Sequence, residues 1–305
     1  MGLFDSVLIN KAISDDNKSF SSITTERAAN IVKELSGGKI RHTTKIVDNV
    51  ITITGAAGGT GASTIVANMA YIANTKHDLR VIVIDLNLLM PCQHLYFKIE
   101  QELNKPDLVG YLTGKNNLGE AIVNTKYADV LSANNRGLMD YIVCDSEAAS
   151  ANFQKAIDTL RSLYDLIIID SPMKVENSLC NYAFYLSDKI YLIWDEGISC
   201  IANTEKIRRN MASSGIDSYT KTAVVLNKRT SLHYNDYPFK KLNIELLQVL
   251  PFESDIIYSS LNAEIFCKSG VSKSENSSYF CGGIEELTEK VIKAGGLVNG
   301  SEAAT

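Results

Sequence analysis

Residues 51–65 read Ile51-Thr52-Ile53-Thr54-Gly55-Ala56-Ala57-Gly58-Gly59-Thr60-Gly61-Ala62-Ser63-Thr64-Ile65. A β-rich run ends at Thr54, and three glycines at positions 58, 59 and 61 lead into a helical pattern. Glycines let the backbone turn tightly so that successive N–H groups face one concavity, and a helix N-terminus adds its positive dipole end. The segment therefore predicts a phosphate-binding loop between a strand and a helix.

Around this loop, short apolar runs alternate with helical segments from residue 48 to residue 294. Runs such as Val81–Ile84 and Leu166–Ile169 are continuously apolar, which suits strands that are covered on both faces. The pattern predicts an α/β fold, a doubly wound and mostly parallel sheet of about seven strands. Residues 1–47 are expected to form an N-terminal extension with a short amphipathic helix, and residues 295–305 a disordered tail.

Composition excludes several classes of protein. The 305 residues carry a net charge of −5, whereas proteins that coat nucleic acid nonspecifically are usually basic. The six cysteines are spread singly without a CxxC pair, which argues against a zinc site and a disulfide scaffold. The apolar runs are too short to span a bilayer, and no signal-peptide pattern is present. We expect a soluble protein of a reducing compartment.

The predicted phosphate loop lacks its usual cation. A P-loop carries a lysine directly before a Ser or Thr, and here that position is Ala62, followed by Ser63 and Thr64. The backbone cradle and the Ser63 hydroxyl, a ligand for Mg²⁺, are kept, while the point charge is lost.

The stretch from Gly58 to Thr64 resembles the deviant P-loop of the ParA/MinD ATPases, and the resemblance implies their P-loop NTPase-like fold. That family carries a second lysine immediately before the paired glycines, and here this position is Ala57. A loop that ends in Gly-Ala-Ser-Thr looks most like the CpaE/TadZ branch, which localises Tad-type pilus assembly machinery and often has Ala at the lysine position.

Further segments resemble the family in the expected order. The run that ends at Asp85-Leu86-Asn87 resembles the second acidic motif, and the run that ends at Asp170-Ser171-Pro172 resembles the Walker B strand. Val224–Lys228 and Leu250–Phe252 resemble the segments beside the nucleotide base. The resemblance implies ATP and Mg²⁺ as cofactors. It places Mg²⁺ at Ser63, Asp85 and Asp170, and the nucleotide at Gly58, Gly59, Thr60, Gly61, Ala62, Ser63, Thr64, Asn227 and Pro251.

Three positions depart from the family where its catalytic groups stand, so no catalytic residue is intact. Ala57 and Ala62 replace the two lysines, and Asn87 replaces the acid that orients the attacking water; an amide is a poor general base. A charged hydrogen bond to phosphate contributes ~1.5–3 kcal/mol, so two lost lysines weaken ATP binding by roughly 10²–10⁴. The sequence therefore predicts a pseudo-ATPase that binds ATP weakly and hydrolyses it weakly or not at all.

The resemblance implies a homodimeric localisation or assembly scaffold for a Tad/Flp-type pilus, a secretion machinery or a positioning machinery. Such a protein is cytoplasmic, is recruited to the cell pole or the inner membrane face, and contacts the membrane through its partners. One alternative is a slow ATPase switch in which Arg80 or Lys174 substitutes for the loop lysine. The other is a DNA-partitioning protein. It would use basic residues from Lys206 to Lys241, although the acidic net charge favours an ordinary solvated face.

Two remaining segments receive structural interpretations. The loop Pro91–Phe97 resembles a loop of bacterial tyrosine kinases, and we interpret it as packing, with His94 as a structural histidine. The C-terminal helix Ile284–Lys293 is mixed in charge and is expected to cap the sheet.

Overall fold

The computed structural model of the protein describes residues 48–134, 137–173, 178–230, 237–268 and 275–296. The chain divides into two units, Met1–Thr43 and Thr44–Thr305, and all described residues belong to the second. The predictions made for residues 1–47, for Lys174 and for the tail beyond residue 296 lie outside the described residues.

Seven strands form one parallel sheet in the order β3-β2-β4-β1-β5-β6-β7, which confirms the predicted fold class. The strands are β1 (Val50–Gly55), β2 (Val81–Asp85), β3 (Asp129–Leu131), β4 (Leu166–Ser171), β5 (Lys189–Trp194), β6 (Thr222–Arg229) and β7 (Glu245–Pro251). Because every strand runs in the same direction, their carboxyl ends meet at one edge of the sheet, where open α/β folds bind ligands.

Helices connect the strands and cover both faces of the sheet. The longer ones are α1 (Ala62–His77), α6 (Glu147–Leu160), α7 (Ser178–Leu186), α8 (Ile198–Ser213) and α12 (Glu275–Ala294). The shorter ones are α2 (Gln93–Tyr96), α3 (Leu108–Leu112), α4 (Leu118–Ala121), α5 (Leu138–Cys144), α9 (Ser218–Lys221), α10 (Tyr237–Leu242) and α11 (Asp255–Leu261). None of these described helices is long and apolar enough to cross a membrane.

Alternate residues of β5 and β6 enter two separate hydrophobic clusters. On β5, Tyr191 and Ile193 pack into the cluster that contains the buried residues of α1 and α12. Ile190 and Leu192 pack into the cluster that contains those of α7 and α8. Both side-chain rows are buried, which is why the sequence shows continuous apolar runs instead of alternation.

The C-terminal helix caps the sheet as predicted, but it begins earlier than the sequence indicates. It covers Glu275–Ala294, and it packs on β7 and α1. A Cβ on Gly283 would lie 2.6 Å from the side chain of Leu250, so the glycine permits a close approach of α12 to β7. Gly282 and Gly283 lie within this helix, and two successive glycines weaken a helical sequence pattern. The turns before Ile284 are therefore hard to predict from the sequence.

Candidate nucleotide-binding site

The glycine-rich loop joins β1 to α1 as predicted. Gly59 and Gly61 have φ values of +78° and +91°, and Gly61 is the N-cap of α1. A Cβ on Gly61 would lie 2.6 Å from Nδ2 of Asn227. The backbone angle and the close amide both require glycine at position 61.

Three side chains from outside the loop donate hydrogen bonds to its backbone carbonyls. The pairs are Asn203 Nδ2 with Ala56 O at 2.8 Å, Asn227 Nδ2 with Thr60 O at 2.8 Å, and Lys228 Nζ with Gly59 O at 2.5 Å. One donor comes from α8 and two from the carboxyl-terminal part of β6. In the strand order, β6 lies on one side of β1 and the acidic strands β2 and β4 lie on the other. These hydrogen bonds hold the loop without any contribution from a ligand.

A cavity of about 760 Å³ opens over the loop, a size typical of small-molecule sites. Its lining includes all nine positions that the resemblance assigns to the nucleotide: Gly58, Gly59, Thr60, Gly61, Ala62, Ser63, Thr64, Asn227 and Pro251. It also includes Phe252, from the segment that resembles the base-flanking one, and apolar and aromatic side chains that the sequence did not assign to the site: Tyr96, Met173, Ile256, Ile257, Leu261 and Phe280. The structure thus joins a polar loop to an apolar wall, as a nucleotide with a phosphate and a base requires.

Two buried carboxylates lie beside this cavity at the ends of neighbouring strands. Asp85 on β2 is paired in register with Asp170 on β4, and the two residues are 0% and 3% exposed. Asp85 accepts backbone N–H bonds from Asn87 at 3.0 Å, Cys92 at 2.8 Å and Gln93 at 2.9 Å. Asp85 therefore stabilises the fold of the segment that follows β2 by bonding to its backbone, a structural role that the sequence did not indicate.

The two carboxylates titrate abnormally because they are buried together. Burial, followed by the negative charge of Asp170, raises the pKa of Asp85 to about 7. Burial also raises the pKa of Asp170, against the opposing effect of hydrogen bonds from Gln93 and Ser63. Each of the two carboxyls in the free protein therefore keeps its proton to a higher pH than an exposed aspartate does.

The sequence predicts that the loop Pro91–Phe97 has a packing role, and the structure corrects this for Gln93. Gln93 Nε2 donates to Asp170 Oδ2 at 2.6 Å and to the carbonyl of Ser63 at 3.0 Å. Cys92 Sγ lies with the oxygens of both aspartates in a group whose atoms are all within 4.8 Å of one another. Burial and the two carboxylates raise the pKa of Cys92 to about 12, so its thiol is neutral.

His94 of the same loop is buried, in agreement with its structural interpretation. Burial lowers the pKa of its imidazole, which disfavours the charged form.

The oxygen donors at the cavity fit Mg²⁺, which prefers carboxylate, hydroxyl and water oxygens. Ser63 and Asp170 both line the cavity, and a hydrogen bond links their side chains. Asp85 lies behind them with its oxygens already bonded to backbone N–H groups. We therefore expect Ser63 and Asp170 to contact the ion directly, and Asp85 to lie behind them without contacting it. The three metal ligands that the resemblance implies remain a prediction.

All three positions that lack family catalytic groups line this same cavity. Ala57 and Ala62 lie on the loop, and Asn87 faces it from the end of β2. Of the described residues that line the cavity, Lys228 is the one that carries a positive charge. The structure therefore brings the three replaced positions to one place. It also shows that Lys228, from a segment that the resemblance places beside the base, contacts the loop.

Arg80 was considered as a substitute for the loop lysine, and the structure contradicts this role. Arg80 directly precedes β2 and therefore lies at the amino-terminal edge of the sheet, whereas Asp85 lies at the opposite, carboxyl-terminal end of the same strand. There its guanidinium pairs with Asp165 at 3.7 Å.

Two of the basic residues between positions 206 and 241 make structural contacts within the domain. Arg208 is buried, donates to the carbonyl of Leu242 at 2.6 Å, and lies over the ring of Tyr219 at 4.0 Å. Lys221 donates to the carbonyl of Tyr185 at 3.0 Å. Arg208 and Lys221 are thus engaged within the domain, whereas Lys206, Arg209, Lys240 and Lys241 are exposed. The DNA-partitioning alternative stays a prediction.

Known proteins resemble this chain along most of its length. The septum site-determining protein MinD of Thermotoga maritima is 26% identical over 220 residues, which cover 70% of this chain and 78% of that protein. Two solved structures share the fold. MinD of Pyrococcus horikoshii complexed with Mg-ADP has a TM-score of 0.67 at 22% identity and covers 82% of this chain and 98% of its own. A plasmid partition protein of Borrelia burgdorferi bound to AMPPNP has a TM-score of 0.67 at 16% identity, with 81% and 100% covered.

A family profile gives the assignment. Residues 48–211, more than half of the chain, match the AAA domain family. The match begins just before β1, includes the glycine-rich loop and both aspartates, and ends within α8. With its parallel sheet, its loop and its MinD relatives, the chain belongs to the AAA domain family, in the ParA/MinD group of P-loop ATPases.

Proposed function

We propose that this chain is a degenerate ParA/MinD-type ATPase that binds a nucleotide without turning it over and acts as a dimeric scaffold. One observation carries the proposal. The cavity keeps the glycine loop, Ser63 and Asp170, while Ala57, Ala62 and Asn87 line the same space where the family has charged groups. The groups that would bind the nucleotide are thus kept at this site, while the positions of the groups that would catalyse its hydrolysis are occupied by other residues.

Nucleotide binding rests on the loop backbone and on the apolar wall. The N–H groups of the loop and the N-terminus of α1 bind the phosphates, and the base lies near Asn227 and Pro251. When bound, Mg²⁺ supplies charge neutralisation for the phosphates at Ser63 and Asp170.

Turnover fails because the groups that act on the transition state are absent. The amide of Asn87 cannot take a proton from water, and neither alanine stabilises charge that develops on the transferred phosphoryl group. Hydrolysis is therefore impaired more than binding.

Dimerisation and partner binding are supported by an exposed apolar surface on α5. Leu138 and Met139 are 62% and 63% exposed, and Ile142 is 52% exposed. Asp145, directly after α5, accepts bonds from the N–H and the hydroxyl of Ser178, where α7 begins after the Walker B segment. The apolar surface thus lies next to the start of α7, the described helix that follows the Walker B strand.

The proposed partners are a second copy of this chain and protein components of a Tad/Flp-type pilus, a secretion machinery or a positioning machinery. The proposed location is the cytoplasm, with recruitment to the cell pole or the inner membrane face through these partners. In this proposal residues 48–294 form the P-loop domain, residues 1–47 an extension and residues 295–305 a tail.

The test compares binding with turnover in one preparation. Calorimetric titration with ATP and Mg²⁺ should give a dissociation constant between micromolar and millimolar, while phosphate release stays at background. A release rate above background that is abolished by Asp170→Ala would overturn the pseudo-ATPase and support the slow ATPase switch. That second candidate is favoured by one observation, the cation Lys228 at the loop.

A further inference from the structure

We propose that Lys228 supplies the phosphate-binding cation of this site, from the end of β6 instead of from the loop. The inference rests on the proposed nucleotide site and adds the residue that makes binding of an anion favourable there.

The side chain of Lys228 reaches the loop where the phosphates would lie. Its Nζ donates to the carbonyl of Gly59 at 2.5 Å, and its Cε lies 3.9 Å from the position of a Cβ on Gly61. An ammonium group has three hydrogens, so a bond to one carbonyl leaves two for phosphate oxygens. Lys228 also lines the cavity, which places this side chain within the space that a ligand would occupy or border.

The charges around the cavity favour this role for Lys228. The other charged side chains in the described lining are Asp170 and Glu253, both of them acidic. Glu253 accepts bonds from the hydroxyl of Ser277 and the N–H of Asp255, so it is occupied by its own neighbourhood. Without Lys228, a polyphosphate would enter a cavity whose described side chains carry only negative charge.

The backbone at Lys228 is strained in a way that its contact with Gly59 explains. Its φ is +59°, a left-handed conformation that favours glycine over a long side chain. The pairing of β6 with β7 shifts register between Leu226 and Arg229, which turns position 228 out of the ladder. Such outliers cluster at ligand sites, and here the distortion directs the lysine to the loop.

The experiment measures ADP binding by calorimetry for the full chain and for lysine variants. Lys228→Met, which keeps an aliphatic side chain, should weaken ADP binding by about 10- to 100-fold, and Lys228→Arg should restore most of the affinity. Lys241→Met, an exposed lysine on α10, is the matched control and should bind as the wild type does. Lys174→Met should also leave affinity unchanged.

A further variant separates a ligand role from a purely structural one. Lys228→Gly relieves the left-handed conformation, so it should keep or exceed the melting temperature of the wild type while losing as much ADP affinity as Lys228→Met. A structural lysine would instead show a lower melting temperature with unchanged affinity.

The outcomes distinguish the two proposals. If the wild type does not bind ADP at all, the proposed nucleotide site is wrong and the inference fails with it. If the wild type binds ADP and Lys228→Met binds it equally well, the inference alone is overturned. It is also overturned if Lys174→Met, and not Lys228→Met, loses affinity.

Discussion

Replacement of Asp170 by asparagine should stabilise the free protein at pH 8 and flatten the dependence of its stability on pH. Asp170 and Asp85 are buried side by side, and the pKa of each is raised. Asparagine removes one of the two buried carboxylates and keeps an oxygen that can accept the hydrogen bond from Gln93. The repulsion between two buried negative charges is thereby removed at little structural cost.

The magnitude follows from the protons that the folded and unfolded states bind. An unfolded aspartate titrates near pH 3.9 and the folded Asp85 near pH 7, so between these values the folded state binds one more proton. The free energy of unfolding then falls by about 1.4 kcal/mol for each pH unit as the pH rises, and it levels off above the folded pKa. Because the charge of Asp170 contributes to this shift, Asp170→Asn should remove a substantial part of the slope.

Urea unfolding at pH 5, 6, 7 and 8 measures this dependence. The control is Asp158→Asn, an exposed aspartate on α6, whose curve should run parallel to that of the wild type. If Asp170→Asn keeps the slope of the wild type, or is less stable than the wild type at pH 8, the argument from buried paired carboxylates is wrong.

Three other predictions concern the loop. Ala62→Lys restores a loop cation and should tighten ADP binding by ~10- to 100-fold in calorimetry; an unchanged dissociation constant would show that the loop does not hold phosphate. Gly61→Ala, at φ +91° and with a Cβ that would lie 2.6 Å from an amide nitrogen, should lower the free energy of unfolding by ~1–3 kcal/mol in urea. Gly58→Ala, where a Cβ meets nothing within 4 Å, serves as its control. The combination Ala57→Lys, Ala62→Lys and Asn87→Asp should release phosphate from ATP while each single change does not; turnover by one single variant would contradict the assignment of separate roles.

The fold and the position of the site could be predicted from local patterns. Continuous apolar runs indicate strands that are covered on both faces, and the all-parallel sheet bears this out. Residues that directly follow such strands, including Asn227 and Pro251, meet at one edge because parallel strands end together. The same rule applied to Arg80, which precedes a strand, would have excluded it as a substitute cation.

Other parts of the site depend on contacts that no local pattern encodes. Gln93 bonds to a carboxylate 77 residues away, and nothing in its neighbours distinguishes it from a polar loop residue. The resemblance places Lys228 beside the nucleotide base, but its contact with the loop depends on the shifted register of β6 and on its left-handed backbone. Both assignments require the tertiary pairing of strands, which sequence spacing does not supply.

The side chains that bond to the carbonyls of the glycine loop affect which substitutions the loop can tolerate. A row of backbone N–H dipoles that face one another is unfavourable without an anion, so many loops of this kind take their shape from the ligand. Here Asn203 and Asn227 bond to the loop from two other elements, and neither carries charge. A lineage with this arrangement can lose its catalytic lysines one at a time while its loop stays folded. The fold of the loop and the charges that a ligand meets there are therefore separable properties of this site.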